Sequence, residues 1–435
     1  MALPEHPAVV SSDDSGRPGR DTGAAGARRS RLFTRFALLV GFGPGLAVML
    51  ADTDAGSVVT AAQSGARWGY RLLALEVVLI PVLYVVQELT VRLGIWTRQG
   101  HGALIREHFG PRWALLSGGT LFVASLGALV TELAGLAGAG ELAGIPDWAT
   151  LLATTATFGA LCAGAAYRRV ELAAIAVGLL ELVFVPAAVL SHPEAGALWH
   201  AASSPLVASR PYFKLVAANV GAVIMPWMVF YQQQAVVDKG ILPERIGTAR
   251  ADTAIGAVAT QVVMVAILVA TAATIGRTAG GRPLDTIGEI AGALQPFLGR
   301  ATARLLFGLG MLGAAAVATV VVTVGGAWGL SEVLGWRHSL NESPRLAWKF
   351  RTLCVSALGV AALAVLLAPN LVELSVDVQV INAALLPVVL GFLLAVERRA
   401  LPPAARLHGA RNWATSVLVV AIAALGLTGV VLTLA

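Results

Sequence analysis

Charged residues are scarce in this chain. Asp, Glu, Lys and Arg make up 13% of its 435 residues, whereas 57% are hydrophobic. A soluble domain carries about 25% charged residues, so the composition argues against one. The apolar residues form runs long enough to cross a bilayer as helices. We predict an all-α polytopic membrane protein with eleven transmembrane helices, near 33–50 continuing in 57–69, 72–95, 113–140, 147–165, 170–190, 212–236, 252–274, 302–329, 352–368, 374–394 and 413–434.

Cysteine and histidine are also few. The two cysteines, Cys162 and Cys354, fall in different predicted spans, where we expect them to pack rather than to form a disulfide framework. All seven histidines lie in the N-terminal tail or in predicted loops. No His-Glu-x-x-His, His-x-x-x-His or Cys-x-x-Cys pattern occurs, which argues against a zinc enzyme site.

The basic residues predict the orientation of the chain. With a cytoplasmic N-terminus, only eight Lys and Arg residues fall on the outer side, namely Arg67, Arg71, Arg210, Lys214, Arg277, Arg282, Arg300 and Arg304. The positive-inside rule therefore predicts an N-terminus in the cytoplasm of a cell-membrane protein, and eleven spans place the C-terminus outside. The net charge of +6 follows from this topology, so we predict no nucleic-acid partner.

The chain divides into a tail and a membrane domain. Residues 1–31 are small, polar and rich in Pro and Gly, which predicts a disordered cytoplasmic tail. The transmembrane domain covers 32–435, and the lipid bilayer is its expected partner. The sequence predicts no oligomeric state.

Two of the apolar runs are interrupted. The first is broken within VMLADTDAGSVVTA (48–61), and the run 212–238 is broken at Pro226 after Gly221. A proline inside a helix costs about 3 kcal/mol. Backbone released in this way at membrane depth is tolerated only inside protein or beside a water-filled cavity.

The position of the breaks predicts the architecture. Interruptions at corresponding places in two halves of a membrane chain are typical of a transporter binding site. We predict inverted repeats at about 32–192 and 210–395, each beginning with a broken helix, in a LeuT-like 5+5 arrangement. An extra helix follows at about 412–435.

The residues at the breaks indicate a metal ion. An Asp at the centre of a transmembrane helix costs about 2.5–3.5 kcal/mol and usually faces the bundle interior for a function. We expect unwound backbone at 52–57 beside the Asp54 carboxylate and the Ser57 hydroxyl, opposite the Ala222 carbonyl and the Met225 thioether. Oxygens with one sulfur suit a borderline metal such as Mn or Fe better than Ca. A simple helix cap would also explain Asp54, and core packing would also explain Met225.

These segments resemble those of the natural resistance-associated macrophage protein (NRAMP) family of metal transporters. The likeness covers about 35–430. The family's first-span motif Asp-Pro-Gly-Asn aligns with 54–57, and its sixth-span motif Ala-x-x-Met-Pro-His aligns with 222–227. The similar stretches are GPGLAVMLADTDAGSVVTAAQSGARWGYRLL (43–73), QELTVRLGI (87–95), GAVIMPW (221–227) and VDVQVINAALLP (376–387).

The resemblance implies inward transport of a divalent transition metal by alternating access, without enzyme activity or a cofactor. The implied metal ligands are Asp54, Ser57, Ala222, Met225, Gln379 and Ala51. Glu132 is the implied proton-pathway residue, and Asp52 and Trp227 are candidates for gating or for the entrance.

Three residues depart from the family pattern. Ser57 stands in place of an amide ligand, Trp227 in place of a histidine tied to proton handling, and Gly135 in place of a second acid near Glu132. We therefore predict weak or absent proton symport.

Three other functions compete with this interpretation. Magnesium-carrying relatives also depart from the hallmarks, and the loss of the amide at Ser57 could make room for hydrated Mg. A LeuT-like carrier of an organic solute is the second, although Asp54 would repel a carboxylate substrate. An intramembrane hydrolase that uses Asp54 and Glu132 is the third.

Overall fold

The computed structural model describes residues 44–164, 182–193, 195–202, 207–276, 282–337 and 345–434, and every regular element within them is helical. The α-helices are α1 (Pro44–Asp52), α2 (Ala55–Trp68), α3 (Leu73–Thr97), α4 (His101–Phe109), α5 (Pro111–Leu142), α6 (Asp147–Gly164), α7 (Phe184–Leu190), α8 (Ala195–Ala202), α9 (Arg210–Val223), α10 (Pro226–Asp238), α11 (Ile246–Thr271), α12 (Ile287–Gly292), α13 (Gln295–Leu298), α14 (Arg300–Leu334), α15 (Trp348–Leu367), α16 (Leu371–Ala400) and α17 (Gly409–Leu434). Shorter helical turns lie at Gly69–Leu72, Pro243–Arg245, Ala272–Gly276 and Pro403–Ala405.

The long helices agree with the predicted membrane spans. Within the described residues, eight helical stretches are long and apolar enough to cross a membrane, namely Ala55–Thr97, Pro111–Leu142, Arg210–Asp238, Pro243–Gly276, Arg300–Leu334, Trp348–Leu367, Leu371–Ala400 and Gly409–Leu434. The first stretch contains both α2 and α3, which correspond to parts of two predicted spans. The polytopic all-α architecture is therefore confirmed, and the count of eleven spans stays a prediction. The predicted tail 1–31 and much of the predicted span 170–190 lie outside the described residues.

The interrupted helices are buried more deeply in the bundle than the last helix. The apolar part of the stretch Arg210–Asp238 is 89% buried by other parts of the protein, whereas that of α17 is 22% buried. The helix α2 packs against α5, α9, α11 and α16. The broken helices therefore form the centre of the bundle, and the predicted extra helix lies at its periphery.

Both predicted breaks are present, but the first is shorter than expected. The helix α1 ends at Asp52 and α2 begins at Ala55, whereas the sequence predicted unwound backbone over 52–57. The prediction of its length was wrong because a cap at Asp54 lets the helix restart at once, which places Ser57 in the first turn of α2. At the second break, Ile224 and Met225 are non-helical, with φ and ψ of −123° and 82° and of −87° and 138°.

The close approach of three helices requires glycine at two positions. A side chain at Gly56 would meet the Gln379 amide, and one at Gly221 would meet the backbone carbonyl of Gln379. Small residues of this kind allow membrane helices to pack backbone against backbone. Gly56 and Gly221 therefore bring α2 and α9 against the same part of α16.

The stretch 98–110 is more ordered than a solvated loop. Residues 101–109 form α4, and the His101 side chain is buried, with its Nδ1 3.0 Å from Gln233 Oε1. Burial lowers the pKa of His101 to about 4, since the imidazolium loses its hydration. His101 is therefore neutral at physiological pH and links α4 to α10.

Candidate metal site

Asp54 caps the helix that begins after the first break. Its Oδ1 accepts a hydrogen bond of 2.6 Å from the Ser57 N–H. A carboxylate at this position satisfies an amide that the helix leaves unpaired, and the helix dipole stabilises its charge. The Oδ2 atom is buried and has no hydrogen-bond partner among the described residues. The capping role predicted as an alternative is thus real, and it accounts for one of the two oxygens.

A second carboxylate, that of Glu132 on α5, reaches the same helix end. Its Oε2 accepts from the Ala55 N–H at 3.2 Å, and Thr131 Oγ1 lies 3.3 Å from Oε1. In an unbroken helix the Ala55 N–H would donate to the Ala51 carbonyl four residues earlier. Glu132 takes this donor instead, so the Ala51 carbonyl does not receive that hydrogen bond. The structure therefore brings Glu132 into contact with the first break.

The two breaks meet directly. The Ser57 hydroxyl donates a hydrogen bond of 3.1 Å to the Ala222 carbonyl, at the end of α9. Both residues are buried, at 2% and 3% exposure. Polar groups from two segments that are 165 residues apart thus share one point inside the apolar bundle.

Met225 lies in the second break, three residues after Ala222. Met225 is fully buried, and its sulfur accepts a hydrogen bond of 3.2 Å from Trp227 Nε1. The indole, which replaces the family's histidine, therefore touches the predicted soft ligand. Trp227 is also fully buried.

Gln379 joins the site from α16. Its Oε1 accepts from Asn382 Nδ2 at 2.9 Å, while its Nε2 faces Gly56 and has no hydrogen-bond partner among the described residues. The Oδ1 of Asn382 is likewise unpartnered. The sequence interpretation missed Asn382 and Thr131, although Asn382 follows Gln379 by three residues and so shares its helix face.

Asp52 is the most unusual carboxylate of the region. It is the last residue of α1 and is 1% exposed, and neither of its oxygens has a hydrogen-bond donor in the described part of the chain. A helix C-terminus carries partial negative charge, which gives a carboxylate no support. Desolvating an ion costs several kcal/mol, so a carboxyl buried in this way either keeps its proton or lies next to a cation.

The donor set differs from that of common protein metal sites. Among the described residues there is no group of three or more His, Cys, Asp or Glu side chains that could hold a metal. The groups that converge here are a carboxylate, a hydroxyl, backbone carbonyls and a side-chain amide. The mixed set of hard and soft ligands that includes the Met225 thioether stays a prediction.

A sequence model described as natural resistance-associated macrophage protein-like matches residues 45–432. The chain belongs to the NRAMP family. Two similar proteins are divalent metal cation transporters named MntH. The MntH of Pectobacterium carotovorum is 30% identical to this chain over 65% of this chain and 70% of its own length. That of Ralstonia nicotianae is 29% identical over 74% of this chain and 75% of its own length.

Solved structures support the NRAMP fold. A manganese transporter of Eremococcus coleocola superposes with a TM-score of 0.73 at 18% identity, covering 89% of this chain and 85% of its own. Mhp1, a nucleobase-cation-symport-1 family transporter, superposes with a TM-score of 0.55 at 16% identity, covering 90% of each chain. The predicted family and the LeuT-like fold with two broken helices are confirmed. The chain is a transporter and not an enzyme, so the hydrolase alternative is wrong.

Proposed function

We propose that this NRAMP-family chain imports a divalent transition metal, Mn or Fe, by alternating access. The observation that carries the proposal is the 3.1 Å contact between Ser57 Oγ and the Ala222 carbonyl, which joins the two broken helices at the residue whose N–H donates to Asp54 Oδ1. The similarity to MntH transporters supports the choice of substrate class. The proposed ligands are Asp54, Ser57, Ala222, Met225, Gln379 and Ala51.

Electrostatics supports a doubly charged cargo. Asp52 and Asp54 follow one another closely at membrane depth, and three of their four carboxylate oxygens are buried without a hydrogen-bond donor in the described residues. Two carboxylates in a low-dielectric interior repel each other, and burying Asp52 in its charged form without a donor is costly. A divalent cation relieves both penalties, whereas an anionic organic substrate would add to them.

The ligands also explain how the ion is taken up and released. Asp54 and Ser57 belong to the first predicted repeat, and Ala222 and Met225 belong to the second. Each is at most 3% exposed in this conformation, so an ion reaches the site only when helices of the two repeats separate. Separation pulls the ligands apart and weakens binding, which couples opening to release.

The contact between the breaks also bears on magnesium. Hydrated Mg needs a roomy site with few direct ligands. The hydroxyl and the carbonyl are in direct hydrogen-bond contact, so the shorter Ser57 side chain has not widened the gap between the helices. Direct coordination of a dehydrated transition metal fits this geometry better.

The function is tested by uptake into vesicles that contain the purified protein. We expect saturable Mn uptake that Fe competes with and that amino acids leave unchanged. Competition by amino acids without any Mn uptake would instead identify an organic-solute carrier. Mg uptake that exceeds Mn uptake at equal concentration would favour the magnesium alternative.

Replacing Met225 with alanine should relax the selectivity of the site. The variant Met225→Ala loses the only soft ligand of the proposed set. The affinity for Ca relative to Mn should therefore rise by on the order of ten-fold, which corresponds to about 1.4 kcal/mol. Competition of Ca against radioactive Mn measures this ratio. Met228→Ala is the matched control, because Met228 is equally buried in α10 but is not a proposed ligand. An unchanged ratio in Met225→Ala would remove the thioether from the site.

Proton coupling should be weak or absent. Trp227 cannot titrate, and its N–H is engaged by the Met225 sulfur. At Gly135, any side chain would collide with Ala55, so a second acid has no room there. A pH dye inside the vesicles should therefore report little acidification during Mn uptake. One proton entering with each ion would contradict the prediction and point to Glu132 as a sufficient acceptor.

A further inference from the structure

Three arginines lie around one buried carboxylate at one end of the bundle. Glu88 on α3 accepts two hydrogen bonds from Arg92, of 2.5 and 2.7 Å, and one of 2.7 Å from Arg250 on α11. Arg411 on α17 lies 3.6 Å from the same carboxylate. One carboxylate neutralises one guanidinium, so this end of the three helices keeps an excess of positive charge.

A cavity of about 320 Å³ opens beside this cluster. Its wall contains four arginines and neither Asp nor Glu. The Nε of Arg92 is buried and has no hydrogen-bond partner within the described residues. Guanidinium groups bind phosphate oxygens through paired N–H donors, so the cavity has the donors that a phosphate needs. The four arginines are Arg92, Arg250, Arg406 and Arg411.

A second cavity of about 340 Å³ shares Arg411 with the first and runs between α3 and α17. Its further lining residues precede Glu88 on α3 and follow Arg411 on α17 by one to two helical turns, so it extends from the charged end toward the middle of the membrane. Glu88 and Arg411 line its charged end, and the rest of the wall is mostly apolar, formed by Tyr84, Val85, Ala414, Thr415 and Leu418.

We propose that the two cavities together bind one anionic phospholipid, with the headgroup phosphate beside the arginines and an acyl chain between α3 and α17. The positive-inside pattern predicts that this end faces the cytoplasm, and basic pockets between membrane helices on that side suit anionic headgroups. A free phosphate ion would use the first cavity only. The adjoining apolar cavity is the observation that favours a lipid. The site is separate from the proposed metal ligands and does not depend on them.

The test compares lipid binding by the purified full-length protein in native mass spectrometry. We expect phosphatidylglycerol to be retained and phosphatidylcholine to be lost at the same concentration. The double variant Arg406→Gln with Arg411→Gln should bind phosphatidylglycerol about 25-fold more weakly, since each basic residue near an anionic lipid contributes a factor of about five. Arg112→Gln with Arg345→Gln is the matched control, because both arginines are exposed and outside the two cavities.

A second variant separates a lipid from a free phosphate ion. Ala414→Trp narrows the apolar cavity while every arginine is kept, so it should weaken phosphatidylglycerol binding by on the order of ten-fold without affecting inorganic phosphate. Inorganic phosphate that competes as well as the lipid would show that the site binds a small anion and would overturn the proposal. Wild-type lipid binding by either variant would also overturn it.

Discussion

Metal uptake by the variant Asp54→Asn should fall by at least about 100-fold. Removing one partner of a buried ion pair costs about 3–5 kcal/mol, and about 1.4 kcal/mol corresponds to ten-fold in affinity. Asparagine is also a good N-cap, so α2 keeps its start and the hydrogen bond to the Ser57 N–H can be preserved. The substitution therefore removes the charge and retains the cap. Initial rates of Mn uptake into vesicles, with the protein content matched, measure the effect.

The matched control is Asp377→Asn. Asp377 is half exposed, pairs with Lys214 at 2.5 Å and is not a proposed ligand. The same chemical change there should leave uptake within about two-fold, because exposed ion pairs contribute about 0.2–1 kcal/mol. If Asp54→Asn transports Mn at the wild-type rate, Asp54 serves as a cap only and the proposed metal site is wrong.

Replacing Gly221 with alanine should destabilise the protein and abolish uptake. A methyl group at Gly221 would overlap the backbone carbonyl of Gln379 and lie 2.7 Å from the Ala383 amide nitrogen. Backbone atoms cannot rotate away, so α9 must move off α16. Overpacking of this kind typically costs about 1–3 kcal/mol. The movement also carries Ala222 away from Ser57, which removes the contact between the two breaks.

Thermal unfolding in detergent and Mn uptake should both be measured for Gly221→Ala. Gly391→Ala is the control on α16 itself, since a methyl group there meets nothing within 4 Å. Alanine is preferred over glycine in a helix by about 1 kcal/mol, so this control should be unchanged or slightly more stable. A wild-type melting temperature with normal uptake in Gly221→Ala would mean that α9 and α16 are less closely packed than described.

Local signals in the sequence predicted the broken helices well. Pro226 cannot continue a helix, and the carboxylates of Asp52 and Asp54 are too costly to face lipid, so both breaks were expected from single segments. The length of the first break was predicted less well. An N-cap hydrogen bond depends on the χ1 rotamer and on the backbone of Asp54, and residue type alone does not decide either.

The arginine cluster around Glu88 was also beyond what the sequence alone could predict. Positive-inside counting assigned Arg92, Arg250 and Arg411 to one side of the membrane, but it treated them as independent loop charges. The structure places all three on one buried carboxylate, Glu88. Residues separated by more than 150 positions become neighbours only through the packing of α3, α11 and α17.

The sequence by itself determined that the chain is a helical membrane protein, where its helices break and which residue types stand at the breaks, because hydropathy, proline and buried charge act locally. Only the tertiary structure decided that Ser57 meets the Ala222 carbonyl, that Glu132 takes the Ala55 amide and that Trp227 donates to Met225. The first two contacts join distant segments, and the third depends on the backbone of the second break. Their geometry depends on how closely whole helices approach, which small residues such as Gly56 and Gly221 control.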